Sequence, residues 1–200
     1  MLVEKRITNE LVETLKNGGL IAFPTETVFG LGVIYDNKES YDRLISVKRR
    51  PPEKPFTLMC GNKDDIDRFA IVDDRARKLI DAFMPGQFTI ILKAKEGLPS
   101  WVVSKEGNVG IRIPDDKFVR ELINKVGKPL LVPSANKSGE KPAINHQEVA
   151  SNFKNELDLI VKGESVSNTP STIVLLNDEV IIIREGLISK LDIDKVLEAK

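Results

Sequence analysis

The sequence predicts a single α/β domain over residues 1–200, built on a twisted, mixed and open sheet flanked by helices. Short apolar runs rich in β-branched residues alternate with amphipathic helical patterns along the whole chain. The connection 177–179 between the last two apolar runs is too short for a helical crossover, so it predicts a hairpin and a sheet that is not purely parallel. The chain has no internal repeat, no low-complexity tract and no linker-like change of composition.

Each predicted strand is a short apolar run between turn-forming residues. The predicted strands are 20–23, 31–35, 56–60, 88–93, 109–113, 130–132, 159–161, 172–176 and 180–184. Arg112 and Arg184 lie inside two of these runs. Because a buried guanidinium requires an anionic partner, a charge in such a position indicates either a sheet edge or a binding role.

Capping residues and apolar periodicity predict the helices. They begin near Thr8, Asn37, Asp73, Asp115 and His146, and a short one follows Leu191. The pattern after Asp115 is the clearest, with Asp115 as the predicted cap and Gly127 as the end. Its apolar face comprises Phe118, Val119, Leu122, Ile123 and Val126. The helix after Thr8 ends at Gly18 and Gly19, which lead into the first strand.

The composition excludes several classes of function. Thirty basic and 30 acidic side chains give a formal net charge of zero, which argues against nucleic-acid binding by bulk charge. No apolar run can span a membrane, and the first ten residues lack the apolar segment of a secretory signal, so we expect a cytoplasmic protein without a membrane partner. Cys60 and His146 are the only cysteine and histidine, which excludes disulfides, cysteine–zinc sites and multi-histidine sites and disfavours a catalytic triad.

The segment 48–55, KRRPPEKP, combines four basic residues with three prolines. Its prolines end the preceding helix and restrict the backbone, which leaves Lys48, Arg49, Arg50 and Lys54 at a helix C-terminus and in a stiff loop. One interpretation is a solvated basic end that complements the helix dipole. The other is a polyanion site, in which arginine and lysine bind phosphates. We expect Lys48 and Arg50 to be exposed.

Two further polar segments follow predicted strands. In 23–32, FPTETVFGLG, two threonines flank Glu26, which suits a small polar substrate or an ammonium group; the alternative is a turn with threonines chosen for β-propensity. In 133–143, PSANKSGEKPA, the polar side chains follow the strand 130–132, at the kind of strand end where α/β sheets bind ligands. The alternative there is an ordinary loop, since serine, asparagine and glycine are common loop residues.

Together with MPGQFTIIL at 84–92, VGIRIPD at 109–115, PSTI at 170–173 and IIREG at 182–186, these segments occur in the order found in YrdC-type proteins. The chain resembles the YrdC-type L-threonylcarbamoyladenylate synthases over about residues 8–190. The resemblance implies the YrdC-like fold with a large, concave, positively charged cavity. It also implies synthesis of threonylcarbamoyl-AMP and pyrophosphate from L-threonine, bicarbonate and ATP. A partner complex then transfers the threonylcarbamoyl group to adenosine 37 of tRNA.

The resemblance further implies roles for individual residues. Lys48 and Arg50 match a K-x-R motif and are implied to be the catalytic residues, in contact with the triphosphate. The residues implied to bind ATP are Lys48, Arg50, Lys54, Asn108, Ser134, Asn136, Ala143 and Arg184. The residues implied to bind threonine are Thr25, Thr27, Arg112, Val132 and Ser171. Mg²⁺ that bridges the phosphates is an expectation from ATP chemistry, with no protein ligand evident in the sequence.

One segment departs from the synthase pattern. Many synthases carry histidine or another polar residue where this chain has Met59, and PFTLMC at 55–60 is more similar to the YciO-type branch. The alternative hypothesis is therefore a YrdC/YciO-like protein that binds tRNA or double-stranded RNA on its concave basic surface without making the adenylate. Carbamoyl transfer, as in the YrdC-like domain of hydrogenase maturation proteins, is a third hypothesis.

Overall fold

The fold is built on one sheet whose strands come from all parts of the described sequence, from Leu2 to Arg184. The computed structural model describes residues 1–51, 55–167 and 169–199. The strands in these residues are β1 Leu2–Val3, β2 Ile21–Phe23, β3 Gly30–Ile34, β4 Leu58–Met59, β5 Phe88–Lys93, β6 Asn108–Arg112, β7 Leu130–Leu131, β8 Leu159–Val161, β9 Thr172–Leu176 and β10 Val180–Arg184. Their order is β1-β8-β2-β3-β7-β4-β6-β5-β9-β10. Parallel pairs such as β5–β9 and antiparallel pairs such as β5–β6 both occur, so the sheet is mixed. Its two ends, β1 and β10, do not meet, which confirms the predicted open α/β sheet.

Helices flank this sheet. Those in the described residues are α1 Asn9–Lys16, α2 Lys38–Lys48, α3 Ile66–Phe69, α4 Asp74–Phe83, α5 Lys117–Val126, α6 His146–Phe153 and α7 Lys190–Glu198. None of the helices that the structure describes is both long and apolar enough to cross a bilayer.

The two halves of the sheet are covered differently. In β2, Ala22 packs into the core cluster shared with α2, whereas Ile21 and Phe23 pack into the cluster shared with α1 and α5, so this half is covered on both faces. In β5 and β9, Ile90 and Val174 pack into the first cluster together with residues of α4 and α7. Side chains on the opposite face of this second half, such as Ile91 and Ile173, instead line an open cavity. The cavity therefore exists because helices cover only one face there.

Most predicted elements are confirmed, with small shifts at their ends. The strands 88–93, 159–161, 172–176 and 180–184 have the predicted bounds, and β9 and β10 form the predicted hairpin. The run 56–60 forms a strand only at its centre, over Leu58–Met59. The predicted caps Thr8, Asn37 and Asp73 each accept a hydrogen bond from a backbone N–H in the first turn of their helices.

Three predictions at the level of elements need correction. Asp116, not Asp115, caps α5: Asp116 Oδ1 accepts from the Val119 N–H at 3.1 Å, whereas the Asp115 carboxylate pairs with Arg120. The last helix begins at Lys190 rather than after Leu191, with Ser189 and Asp192 in a capping box. The sequence prediction also lacks β1 and α3, whose two and four residues are too few to give a periodic signal.

Candidate active site

A cavity of about 480 Å³ lies on the sheet face that the helices leave uncovered. Its floor is apolar and comes from alternate residues of neighbouring strands, among them Ile91, Gly110, Ile173 and Leu175. Polar and cationic side chains surround this floor. The predicted site residues that line the cavity are Thr27, Arg50, Asn108, Arg112, Val132, Ser134, Ser171 and Arg184. Segments far apart in the sequence thus meet at one place.

The other predicted site residues do not line the cavity. Thr25, Lys48, Asn136 and Ala143 are buried beside its walls. Lys54 lies outside the described residues. Met59, which the sequence singled out as a departure, is part of the cavity wall.

Arg112, at the end of β6, is held by the segment that follows β2. Its Nη2 donates to Glu26 Oε1 at 2.7 Å and to Thr27 Oγ1 at 3.1 Å, and its Nε donates to the Gly86 carbonyl at 3.2 Å. The Arg112 and Glu26 side chains are only 8% and 10% exposed, so the ion pair is largely shielded from water. This confirms that the buried guanidinium has an anionic partner. The partner is Glu26, which sequence reasoning had considered for binding an ammonium group.

The two threonines beside Glu26 have different positions. Thr25 is buried, donates from Oγ1 to the Val28 carbonyl at 2.7 Å, and lies 2.9 Å from Thr27 Oγ1. Thr27 is the one that reaches the cavity. Thr25 therefore shapes the turn that presents Thr27 to a ligand. The second carboxylate oxygen of Glu26, Oε2, is buried and has no hydrogen-bond partner among the described residues.

Arg184 approaches the same part of the cavity from the sheet edge. Its Nε and Nη2 donate to the Ser171 carbonyl at 3.0 and 2.7 Å, and the Ser171 hydroxyl lies 2.9 Å from Thr89 Oγ1. Burial lowers the pKa of Arg184, and the nearby charge of Arg112 lowers it further. Two guanidinium groups that repel each other across a cavity favour an anion between them.

Arg50 contributes a third guanidinium. It lies over the Phe56 ring at 4.9 Å and donates from Nη2 to the Pro55 carbonyl at 3.2 Å. Phe56 packs against Tyr41, and Tyr41 against Trp101, each with ring centroids 6.0 Å apart. Arg50 is half-buried, because Phe56 covers part of it. The expectation that Arg50 is exposed is therefore only partly correct. Its burial lowers its pKa.

Lys48 is buried, with 2% of its surface exposed, so the expectation that it is exposed is wrong. Lys48 is the last residue of α2, and its side chain enters the loop 133–143 instead of solvent. Nζ donates to the carbonyls of Ser134 and Asn136 at 2.7 and 2.6 Å and to Asn136 Oδ1 at 3.1 Å. Burial lowers the pKa of Lys48 to about 8, and the charge of Arg50 acts in the same direction.

The loop 133–143 is folded against β3. Ser134 forms an isolated bridge with Gly30, where an added Cβ would come within 2.6 Å of Val132 Cγ1, so only glycine allows this approach. Ala143 uses both backbone groups here: its N–H donates to Ala135 and its carbonyl accepts from Phe29. The polar loop is therefore a specific structure rather than an ordinary surface turn.

The charge of the lining favours an anionic ligand. Arg50, Arg112 and Arg184 line the cavity, whereas the described part of the lining contains one carboxylate, Glu106. Arginine stays protonated at any physiological pH, so this excess does not depend on titration. The neutral chain thus gathers positive charge in one place, as a polyanion site requires.

Several lining residues have no counterpart among the predicted site residues. Phe56, Thr57, Thr89, Ser104 and Glu106 all reach the cavity. Thr89 had a signal, because it is a polar residue inside the apolar run FTIIL, and alternation places it on the face opposite Phe88 and Ile90. Ser104 and Glu106 lie in an irregular loop without such a signal.

Comparison with known proteins gives a consistent set of matches. The profile of the Sua5/YciO/YrdC family, described as "Telomere recombination", matches residues 13–186. A putative threonylcarbamoyl-AMP synthase from Methanocaldococcus jannaschii is 36% identical over 186 residues, which cover 92% of this chain and 87% of the relative.

Two solved structures have closely similar folds. The crystal structure of P. abyssi Sua5 complexed with L-threonine matches with a TM-score of 0.92 and 27% identity, over 99% of this chain and 60% of that one. The chain thus spans 60% of the length of that Sua5. The crystal structure of E. coli YciO matches with a TM-score of 0.85 and 27% identity, over 94% of each chain.

Proposed function

The chain belongs to the Sua5/YciO/YrdC family, and from this premise we propose that it is an enzyme that makes L-threonylcarbamoyl-AMP from L-threonine, bicarbonate and ATP. The observation that carries the proposal is a cavity of about 480 Å³ lined by three arginines. A ligand with a carboxylate and a triphosphate satisfies such a lining. The relative named a putative threonylcarbamoyl-AMP synthase and the Sua5 complexed with L-threonine support the same activity.

The proposed threonine site is the end of the cavity near Arg112. Arg112 is oriented by Glu26, and the hydroxyls of Thr27 and Ser171 reach the cavity beside it. A guanidinium pairs well with the carboxylate of an amino acid, and flanking hydroxyls suit its polar groups. Glu26 keeps Arg112 in place before the substrate arrives, so less ordering is needed on binding.

The proposed nucleotide site lies near Arg50, Ser134 and Arg184, all of which line the cavity. In the reaction, the threonine amine and bicarbonate give a carbamate and water. A carbamate oxygen then attacks the α-phosphorus of ATP, and the bond from that phosphorus to the bridging oxygen of pyrophosphate breaks. Alignment of the two reactants and neutralisation of charge on the phosphates are the contributions that these side chains supply.

Mg²⁺ is proposed to enter with ATP, as part of the substrate. The described residues contain no group of three or more His, Cys, Asp or Glu side chains placed to hold a metal ion. Mg²⁺ commonly binds to substrate phosphates with few protein carboxylates, and Glu106 is the carboxylate in the described lining. We place the reaction in the cytoplasm, where a separate complex would use the product to modify adenosine 37 of tRNA.

The direct test mixes the protein with ATP, L-threonine and labelled bicarbonate and looks for an acid-labile labelled adenylate. Pyrophosphate release is expected only when all three substrates are present. Arg50→Ala and Arg112→Gln are expected to lower the rate by about 100-fold or more, since each removes a charged contact to a substrate. Arg75→Ala, at a 43% exposed arginine whose partners are Asp73 and the carbonyls of Asn177 and Asp178, is the matched control with an unchanged rate.

Two results would overturn the proposal. One is pyrophosphate release from ATP alone at the full rate. The other is the absence of adenylate together with RNA binding that weakens steeply with salt, which is the behaviour of an RNA-binding relative without synthase activity.

A further inference from the structure

We propose that Lys48 and Asn136 are positioning residues, which hold the loop 133–143 so that Ser134 faces the cavity, and that Arg50 is the side chain of the motif that meets the phosphates of the nucleotide. The assignment rests on the proposed function for the identity of the ligand. Its structural part rests only on the hydrogen bonds of the loop. It separates Lys48 from Arg50, although the two belong to one short motif.

All three N–H donors of Lys48 Nζ are used in hydrogen bonds to the loop. A lysine ammonium has three N–H groups and no acceptor. Lys48 Nζ lies 2.7 Å from the Ser134 carbonyl, 2.6 Å from the Asn136 carbonyl and 3.1 Å from Asn136 Oδ1. A phosphate contact would require one of these bonds to break, which removes a charge-assisted hydrogen bond from the loop.

The side-chain amide of Asn136 also has hydrogen-bond partners for both its N–H groups and its oxygen. Its Nδ2 donates to the carbonyls of Lys137 and Glu140 at 2.8 and 2.9 Å, which uses both amide protons. Its Oδ1 accepts from Lys48 Nζ and from Ser134 Oγ, the latter at 2.5 Å. Asn136 is 7% exposed and is absent from the described cavity lining. Asn136 therefore acts as a centre around which the loop folds.

Lys48 also binds the loop through its backbone. The Ser138 N–H and hydroxyl both donate to the Lys48 carbonyl, at 2.8 and 3.0 Å. The loop is thus attached to the end of α2 by a side chain on one side and by a carbonyl on the other. The residues of this loop that line the cavity are Pro133 and Ser134, and Ser134 is the one with a polar side chain.

Hydrogen exchange of the segment 133–143 tests the structural part without any substrate. Lys48→Met keeps the length of the side chain and removes its donors. We expect amide exchange in this segment to become faster by about tenfold or more, because local opening no longer breaks the Lys48 bonds. Arg50→Ala, two residues away, is the matched control and is expected to leave the exchange of this segment within about twofold of wild type.

A second variant guards against failure of the first to fold. Asn136→Asp keeps an acceptor for Lys48 and Ser134 but removes the donors to Lys137 and Glu140. Faster exchange confined to 133–143, with α5 unchanged, is the expected result. Exchange at the wild-type rate in both variants would overturn the assignment.

Nucleotide affinity distinguishes positioning from direct contact. A group that binds the outer phosphates favours ATP over AMP, so Arg50→Ala is expected to reduce the ratio of ATP to AMP affinity by about tenfold or more. Lys48→Met is expected to weaken both nucleotides by the same factor and leave this ratio within about twofold. A collapse of the ratio in Lys48→Met, with normal exchange of the loop, would show direct phosphate binding instead. A wild-type protein that binds no nucleotide would refute the proposed function, whereas the exchange experiment would still decide the role of the network.

Discussion

Two buried cations beside the cavity are supported in opposite ways. Arg112 is paired with a carboxylate, Glu26, at 2.7 Å. Lys48 instead donates to neutral oxygens of Ser134 and Asn136. The first arrangement neutralises the charge and keeps the guanidinium oriented. The second arrangement satisfies the N–H donors of Lys48 but does not neutralise its charge, which stays buried in the protein.

The two cations therefore affect a ligand in different ways. Since Arg112 and Glu26 together are neutral, the field of the described lining at a distant phosphate comes chiefly from Arg50 and Arg184. Arg112 acts at short range, on a group that contacts it directly. Lys48 acts on a ligand through the shape of the loop, without contact.

The largest effect is expected from removal of the carboxylate. Glu26→Ala leaves the Arg112 guanidinium buried without its anion and is expected to lower the free energy of unfolding by about 3–5 kcal/mol. Urea unfolding monitored by circular dichroism measures it. Glu26→Gln, which retains an acceptor at this position, is the control and is expected to lose less. A loss below about 1 kcal/mol in Glu26→Ala would contradict the importance of this pair.

Cys60 gives a local probe of the Arg112 side. Its thiol is fully buried, burial raises its pKa, and its N–H donates to the Arg112 carbonyl at 2.9 Å. The thiolate is the reactive form, so native Cys60 is expected to react with thiol reagents only after the protein opens. Glu26→Ala is expected to speed labelling by about 100-fold, and Lys48→Met by less than about tenfold. Equal acceleration in the two variants would mean that the two regions open together.

The smallest effect concerns the pH dependence of stability. Burial lowers the pKa of Lys48 from 10.5 to about 8, so between these pH values the unfolded chain binds more protons than the folded one. The contribution of Lys48 to the free energy of unfolding therefore rises with pH in this window, by at most about 1.4 kcal/mol per pH unit. Wild type is expected to show a steeper rise than Lys48→Met in urea unfolding from pH 8 to 10.5. Parallel curves would contradict it.

Features that depend on neighbouring residues were predictable from the sequence. Thr8, Asn37 and Asp73 cap their helices as predicted, because a cap needs only the side chain and the first turn. The cap of α5 was harder to assign, since two adjacent aspartates, Asp115 and Asp116, precede the same helical pattern.

The site was predictable in its chemistry and not in its orientation. Residue types left an anion site at the basic segment as one of two interpretations, and the family resemblance added Arg112 and Arg184; Arg50, Arg112 and Arg184 all reach one cavity. The side chain of Lys48 points into the protein and donates to Asn136, 88 residues away, so no local sequence pattern indicates this orientation. Likewise, Glu26 was recognised as a notable carboxylate, but its partner is set by where β6 ends.

The order of the strands has a consequence for how the chain is made. Leu2 pairs with Ile160, and Phe88 pairs with Thr172, so these strands acquire these neighbours only after β8 and β9 have been translated. Loop closure over such separations costs entropy before any contact compensates for it. The sheet, and with it the cavity between Thr27 and Arg184, is completed only after residues up to Arg184 have left the ribosome. Until then, β2 and β5 lack the strands that pair with them in the folded protein, and their unpaired edges are exposed to other chains.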